Sequence, residues 1–193
     1  APPVRVILRQ LRAIGSLLPA SCLLIDLGST KTEIVTAMED LPDHVQPLGG
    51  HPMCGKETSG VEAADPHIYH GATFILTPLE RTSQEALNLG RELARAVGSH
   101  PLDLSAERQD FLVGTLSHLP YLMACALVAT ADQLTSPDPA AWKIVAGGYR
   151  DTTRVAGSDV TMMTDILLTN REPVLRAIET LQQQIGRLRR LVE

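Results

Sequence analysis

The chain has 193 residues, of which 44% are apolar and only 3% aromatic, and its formal net charge is −5. This length suffices for one ordinary domain or two small ones, so the core needs neither disulfides nor metals to support it. Acidic and basic residues are interspersed, and we therefore expect neither nucleic acid nor a membrane surface as a partner.

Short apolar runs and helical periodicity alternate along the first half of the chain. Apolar side chains recur at helical spacing over 4–18, and the run 22–25 predicts a short buried strand. The predicted elements that follow are helix 31–41, strand 45–48, strand 72–76, helix 83–97 and an edge strand at 102–104. Strand signals then end, and helical periodicity dominates 110–135, 139–145, 162–170 and 173–192.

This order of elements predicts an α/β domain over 1–105, followed by an all-helical domain over 106–193. Short buried strands that alternate with helices are typical of an open, mostly parallel, Rossmann-like sheet. Such sheets bind ligands beyond the carboxyl ends of their strands. Asp26, Ser29 and His51 lie just past predicted strand ends, so we expect a site at that edge of the sheet.

Hydropathy and cysteine usage bear on where the protein resides. No run reaches the roughly 18 to 20 consecutive apolar residues that span a bilayer, and the start lacks the pattern of a signal peptide. Cys22, Cys54 and Cys125 are odd in number and far apart, which favours reduced thiols over a disulfide framework or a zinc site. We therefore expect a soluble, cytoplasmic protein without a bound metal.

One histidine lies in an unusual setting, within the segment Gly49-Gly50-His51-Pro52-Met53-Cys54-Gly55-Lys56-Glu57-Thr58-Ser59-Gly60. Glycines and a proline indicate an irregular loop that a ligand can approach closely. Histidine is the side chain best suited to moving a proton near neutral pH. From this segment alone, an ordinary turn histidine is the alternative.

Five segments carry a further signal when they are taken together. They are Asp26-Leu27-Gly28-Ser29-Thr30-Lys31, the His51 loop, Phe74-Ile75-Leu76-Thr77-Pro78, Ser117-His118-Leu119-Pro120 and Gly147-Gly148-Tyr149-Arg150-Asp151-Thr152-Thr153-Arg154-Val155-Ala156. In this order and spacing they resemble the prephenate and arogenate dehydrogenases of tyrosine biosynthesis. The resemblance implies oxidative decarboxylation of prephenate to 4-hydroxyphenylpyruvate, or of arogenate to tyrosine, with hydride transfer to NAD or NADP. It also implies the latter part of a nucleotide-binding domain and a helical domain that forms a homodimer.

The resemblance assigns catalytic and cofactor-binding roles near the first strand. It implies that His51, as a neutral imidazole, accepts the hydrogen bond from the substrate hydroxyl, and that Ser29 bridges His51, substrate and cofactor. Asp26, Ser29 and Lys31 are the expected cofactor-binding residues. Without the resemblance, Ser29 is a helix N-cap and Lys31 a solvated lysine of the first helical turn.

The expected substrate-binding residues are Arg154, His118, Glu57 and Lys56. A guanidinium pairs two carboxylate oxygens at once, which suits Arg154 to anchoring a substrate carboxylate. The resemblance implies that His118 contacts the substrate side chain. A surface ion pair for Arg154, a satisfied helix histidine for His118 and a solvated loop residue for Glu57 are the alternatives. Lys56 stands where the family often has a small polar residue, and we expect its ammonium to favour prephenate over arogenate.

The chain also departs from the family pattern elsewhere. Met163 stands where a tryptophan is common, and Gln109 replaces a histidine that is frequent before the helical domain. The Gly-x-Gly-x-x-Gly turn that binds the pyrophosphate is absent from the sequence, so we expect a carboxyl-terminal part of a longer enzyme, with poor affinity for the dinucleotide. A related β-hydroxyacid-type dehydrogenase and a non-catalytic helical dimer or regulatory fragment remain as alternatives.

Overall fold

The computed structural model describes residues 2–18, 22–56, 62 and 64–193. Helices and strands alternate in the first part of the chain, as predicted. They are α1 (Val4–Ile14), β1 (Cys22–Ile25), α2 (Thr32–Glu39), β2 (Val45–Pro52), β3 (Thr73–Pro78), α3 (Gln84–Ala96) and β4 (His100–Asp103). A short 3₁₀ helix, Gly15–Leu17, follows α1.

The regular elements of the second part are helical. They are α4 (Ala106–Val113), a π-helix (Gly114–His118), α5 (Leu119–Thr135), α6 (Gly147–Thr153), α7 (Val160–Thr169) and α8 (Arg171–Val192), with 3₁₀ helices at Ala141–Lys143 and Arg154–Gly157. The predicted fold class, α/β followed by all-α, is confirmed. The predicted helix 139–145 is wrong in extent, because Pro137 and Pro139 leave only one 3₁₀ turn before α6.

The four strands form one sheet in the order β1-β2-β3-β4. β1 pairs with β2 in parallel and β3 with β4 in parallel, whereas β2 and β3 run antiparallel. Parallel neighbours need a crossover, usually a helix, to bring the chain back. The described residues between β2 and β3 form turns and no α-helix, so the chain re-enters the sheet in the opposite direction.

Helices cover both faces of the sheet with aliphatic side chains. Val4, Ile7 and Leu11 of α1 recur on one helical face and pack with side chains of α2 against Val45. Leu48 is three positions further along β2, so its side chain points to the opposite face, where α3 packs. A Cβ at Gly90 of α3 would clash with Leu48 Cδ2, so a larger residue there would force the Leu48 side chain or the helix to shift.

Polar contacts join the helical part of the chain to the sheet. The Asp165 carboxylate of α7 accepts a hydrogen bond from the Arg5 backbone N–H at 2.8 Å and pairs with the Arg5 guanidinium. The Thr30 and Thr169 hydroxyls lie 2.9 Å apart and share a buried hydrogen bond. These contacts lie beside the carboxyl ends of β1 and β2, where the predicted site residues are found.

The helical part leaves many large apolar side chains exposed. Examples are Leu116, Ile144, Val160 and Leu191. The continuous helical stretch Ala106–Thr135 is long and apolar enough to cross a membrane by length and composition alone, which is weak evidence in a single helix. An apolar helical surface of this kind is also typical of a face that a partner subunit covers.

Candidate active site

The site is organised around a buried carboxylate at the end of β1. Asp26 accepts hydrogen bonds from the backbone N–H groups of Gly28 at 2.7 Å and Gly50 at 3.1 Å. Its carboxylate also receives the Lys31 ammonium, which is fully buried. One side chain therefore fixes the turn after β1 and the neighbouring part of β2.

Burial opposes charge on both members of this pair. It raises the pKa of Asp26 and lowers the pKa of Lys31, and in each case the partner's charge and hydrogen bond work in the opposite direction. Lys31 is thus not a solvated lysine, and that alternative is wrong. The two side chains face each other inside the protein and hold the turn that carries Ser29, and their contact with a cofactor stays a prediction.

His51 lies in a strand and not in a loop, which corrects the prediction that β2 ends at residue 48. β2 continues through Gly49, Gly50 and His51, and His51 pairs with Ile75 of β3. A Cβ at Gly50 would lie 2.6 Å from the Asp26 carbonyl oxygen, so glycine lets the end of β1 approach β2 closely. The glycines therefore serve packing, and the imidazole is held by a hydrogen-bonded strand.

The His51 imidazole is neutral over the physiological pH range. Its Nδ1 atom is buried and has no hydrogen-bond partner among the described residues, although the residue as a whole is partly exposed. Burial lowers the pKa of His51 to about 3, and the nearby Lys31 ammonium and His118 lower it further, while the Gln109 side chain opposes them. A neutral imidazole can accept a hydrogen bond, as the sequence analysis requires of this residue.

His118 lies near His51 at the end of the π-helix. Leu119 N–H bonds to the Gly114 carbonyl, and this wide turn precedes Pro120, which has no N–H to donate. The His118 side chain is buried, and burial lowers its pKa to about 4. Its Nδ1 lies 3.1 Å from the Asn170 amide nitrogen, within hydrogen-bond distance. The site thus contains two neutral imidazoles from different parts of the chain.

Asp110, which was not predicted as a site residue, connects the start of α2 with the helical part of the chain. Its carboxylate accepts the backbone N–H groups of Lys31 at 2.7 Å and Thr32 at 2.8 Å, and so caps α2 from the helical part of the chain. Ser29 is therefore not the N-cap, and that alternative is wrong. Gln109 donates from Nε2 to the Ser29 carbonyl at 3.3 Å and to Asp110 Oδ1 at 3.1 Å.

Three of the remaining predicted residues lie within the described part of the chain. Ser29 is partly exposed, and its hydroxyl makes no hydrogen bond within the described part of the chain. Lys56 is exposed and forms an ion pair with Asp65 at 2.9 Å. Arg154 is exposed at the start of a 3₁₀ helix that packs against α5. Glu57 lies outside the described residues.

Comparisons with known proteins identify the family of this chain. Residues 1–102 match the family model of the prephenate dehydrogenase nucleotide-binding domain, and residues 105–193 match that of the prephenate dehydrogenase dimerization domain. The chain belongs to the prephenate dehydrogenase family. A related dehydrogenase of the β-hydroxyacid type is therefore not favoured.

Two curated proteins with similar sequences are prephenate dehydrogenases, and each matches most of this chain. Prephenate dehydrogenase of Bacillus subtilis is 36% identical over 89% of this chain and 46% of its own length. That of Lactococcus lactis is 36% identical over 97% of this chain and 52% of its own length. The chain thus spans about half the length of these curated relatives.

Solved structures of the family share the fold closely. Prephenate dehydrogenase from A. aeolicus, in complex with hydroxyphenyl propionate and NAD⁺, has a TM-score of 0.90 and 35% identity over 99% of this chain and 66% of its own. Synechocystis arogenate dehydrogenase has a TM-score of 0.83 and 26% identity over 98% of this chain and 68% of its own.

Proposed function

We propose that the chain supplies the substrate-binding and proton-accepting part of a dehydrogenase that oxidatively decarboxylates prephenate or arogenate. The observation that carries this proposal is the neutral His51 imidazole at the ligand-binding edge of the sheet, with the neutral His118 imidazole near it. Family membership and the names of the relatives support the same reaction. The products are 4-hydroxyphenylpyruvate from prephenate and tyrosine from arogenate.

His51 acts on the hydroxyl of the ring. As hydride leaves the carbon that bears this hydroxyl, the group becomes a protonated carbonyl, which is a very strong acid. A base whose pKa is about 3 can therefore accept its proton. The bond to the ring carboxylate then breaks, carbon dioxide departs, and the electron pair makes the ring aromatic and leaves a phenolate oxygen. His51 returns the proton to that oxygen, so the imidazole ends the cycle neutral.

The proposed cofactor is NAD or NADP, whose nicotinamide takes up the hydride when it is bound. Ser29 fits the nicotinamide end, because its hydroxyl lies past the end of β1 without a partner in the described part of the chain. The sequence contains no Gly-x-Gly-x-x-Gly turn to hold the pyrophosphate. We therefore derive from this chain only the steps that its own residues perform.

The substrate carboxylates need cationic or donor groups. We propose that Arg154 anchors a carboxylate with its guanidinium and that His118 donates to the substrate side chain, while Glu57 helps to close the site. Lys56 is paired with Asp65 at an exposed position, so a substrate carboxylate has to compete for its ammonium. Comparing the catalytic efficiency for both substrates in Lys56→Thr tests its proposed preference for prephenate, which an unchanged ratio would refute.

We also propose a homodimer that forms through residues 106–193 and resides in the cytoplasm. The dimerization-domain match and the exposed apolar side chains of the helices support this assembly. Residues 1–105 are then the nucleotide-binding part of each subunit. Sedimentation at micromolar concentration should give twice the 20.8 kDa mass of one chain, and a monomer mass would contradict the proposal.

Ligand binding tests the role of His51 without requiring turnover. We expect calorimetry with hydroxyphenyl propionate, with NAD⁺ present, to show about tenfold weaker binding to His51→Asn, the loss expected for one hydrogen bond to the hydroxyl. Phenylpropionate, which lacks the hydroxyl, should bind both proteins equally. His100→Asn, at an exposed position on β4, is the matched control.

Turnover gives the second measurement. Because we expect poor affinity for the dinucleotide, the assay uses a high NAD⁺ concentration. Prephenate and NAD⁺ should then yield reduced cofactor slowly with the unaltered chain and none above background with His51→Asn. If the hydroxyl contributes nothing to binding by the unaltered chain and no reduced cofactor forms, the proposed function is wrong.

A further inference from the structure

Two buried polar atoms in the site lack a hydrogen-bond partner of ordinary geometry among the described residues: His51 Nδ1 and Gln109 Oε1. Leaving such atoms unpaired in a protein interior costs free energy, so two of them in one site need an explanation. The two side chains interact, because Gln109 acts on the pKa of His51 as a hydrogen-bonding neighbour that favours the protonated ring. That direction is the one expected of an acceptor oxygen that faces a ring N–H.

The orientation of the Gln109 amide is fixed by its other contacts. Its Nε2 donates to the Ser29 carbonyl and to the Asp110 carboxylate, and both of these groups can only accept. Exchanging Nε2 and Oε1 would bring oxygen against oxygen at both contacts. With Nε2 engaged by these two acceptors, Oε1 is the Gln109 atom that is left to pair with the neighbouring His51 ring, and an N–H on Nδ1 would satisfy both unpaired atoms at once.

His118 receives the opposite arrangement from a second amide. Asn170 Nδ2 donates to the Asp110 carbonyl at 2.7 Å, which fixes the orientation of this amide in the same way. The same nitrogen lies 3.1 Å from His118 Nδ1. Because Nδ2 can only donate, His118 Nδ1 has to be the unprotonated nitrogen, and the ring proton of the neutral imidazole is on Nε2.

We propose that Gln109 and Asn170, both anchored on Asp110, hold His51 and His118 in opposite neutral tautomers. His51 carries its proton on buried Nδ1 and turns a bare Nε2 to the cleft, while His118 carries its proton on Nε2. The consequence for catalysis rests on the proposed function: His51 is then an acceptor for the substrate hydroxyl and His118 a donor to a substrate oxygen. Gln109 and Asn170 are positioning residues, since they act through the imidazoles.

Nitrogen-15 spectroscopy of the ligand-free 193-residue chain tests this proposal directly. Long-range proton–nitrogen correlation near neutral pH distinguishes the protonated from the bare nitrogen of each ring, and the signals lost in His51→Asn and His118→Asn identify the two residues. We expect the bare nitrogen to be Nε2 in His51 and Nδ1 in His118. The same tautomer in both rings would overturn the proposal, and this measurement requires no change to either amide.

Two substitutions then test the amides. Gln109→Met keeps the length of the side chain but has no acceptor, so we expect His51 to become a mixture of tautomers while His118 is unchanged. Asn170→Leu should change His118 and leave His51 as it is. Gln109→His, which introduces the residue common in the family, can restore an acceptor and serves as the conservative variant. An unchanged His51 tautomer in folded Gln109→Met would refute the role of Gln109.

The binding of hydroxyphenyl propionate separates this proposal from the proposed function. If both hold, Gln109→Met should weaken binding several-fold, and phenylpropionate should show no such loss. If the tautomers are opposite but the ligand binds equally to the unaltered chain and to His51→Asn, the proposed function fails while the positioning role stands. If the ligand requires His51 but both rings share one tautomer, the positioning role fails while the function stands.

Discussion

The buried neutral histidines make the stability of the fold depend on pH, and His118 allows the effect to be calculated. Its pKa falls from an ordinary 6.5 to about 4 because the side chain is buried. A histidine with a lowered pKa stabilises the fold fully above its unfolded pKa, and this contribution is lost as the pH falls towards the folded pKa. Between about pH 7 and about pH 5 the unfolded chain takes up roughly two thirds of a proton more at this residue than the folded chain does, a loss of about 2 kcal/mol.

Urea unfolding at both pH values, followed by circular dichroism at one fixed protein concentration, measures this loss. We expect His118→Gln to be less stable at neutral pH but to lose about 2 kcal/mol less on acidification than the unaltered chain. His100→Gln, at an exposed position, should lose as much as the unaltered chain. An equal loss in His118→Gln and the unaltered chain would refute the reasoning. His51 adds a contribution of the same sign, since its pKa is also lowered.

Three further substitutions test the contacts that hold the site together, and each is measured as a change in the free energy of unfolding by urea. Asp26→Asn should lower the free energy of unfolding by about 3 kcal/mol, because it removes the ion-pair partner of the buried Lys31 ammonium. Adding Lys31→Met should recover part of the loss, and no recovery would contradict the ion-pair explanation. Gly50→Ala should lower the free energy of unfolding by about 2 kcal/mol, because the new Cβ meets the end of β1. Gly147→Ala, with open space around the Cβ, should leave it unchanged. Similar losses in the two variants would count against the close approach of β1 and β2. Asp110→Ala should cost about 2 kcal/mol or more, because it uncaps α2, and a change within about 0.5 kcal/mol would exclude this role.

Local patterns in the sequence predicted most of the fold. The spacing of Val4, Ile7 and Leu11 marks one face of α1, and the run 22–25 is β1 in full. Apolar side chains that recur at helical spacing predicted α5, α7 and α8. α6 was not predicted as a helix, since Gly147 and Gly148 at its start weaken every local signal for one.

The site was predicted in part. The resemblance selected His51 and His118, and the structure brings these two imidazoles close enough for His118 to lower the pKa of His51. Asp110 was missed because its carboxylate caps a helix that begins 78 residues earlier, and no local pattern encodes such a contact. The strand character of His51 was missed because glycines normally weaken a strand, and here the close approach of β1 requires them.

The cap on α2 also limits how the two parts of the chain can move. Two N–H groups at the start of a helix in the sheet region point at a carboxylate that belongs to α4 in the helical region. If one region slid past the other by a few ångströms, these two backbone N–H groups would lose their acceptor at a partly buried position, which is unfavourable. Relative motion of the two regions therefore carries the free-energy cost of uncapping α2, and a rearrangement that leaves this cap intact is the less costly way to open the site.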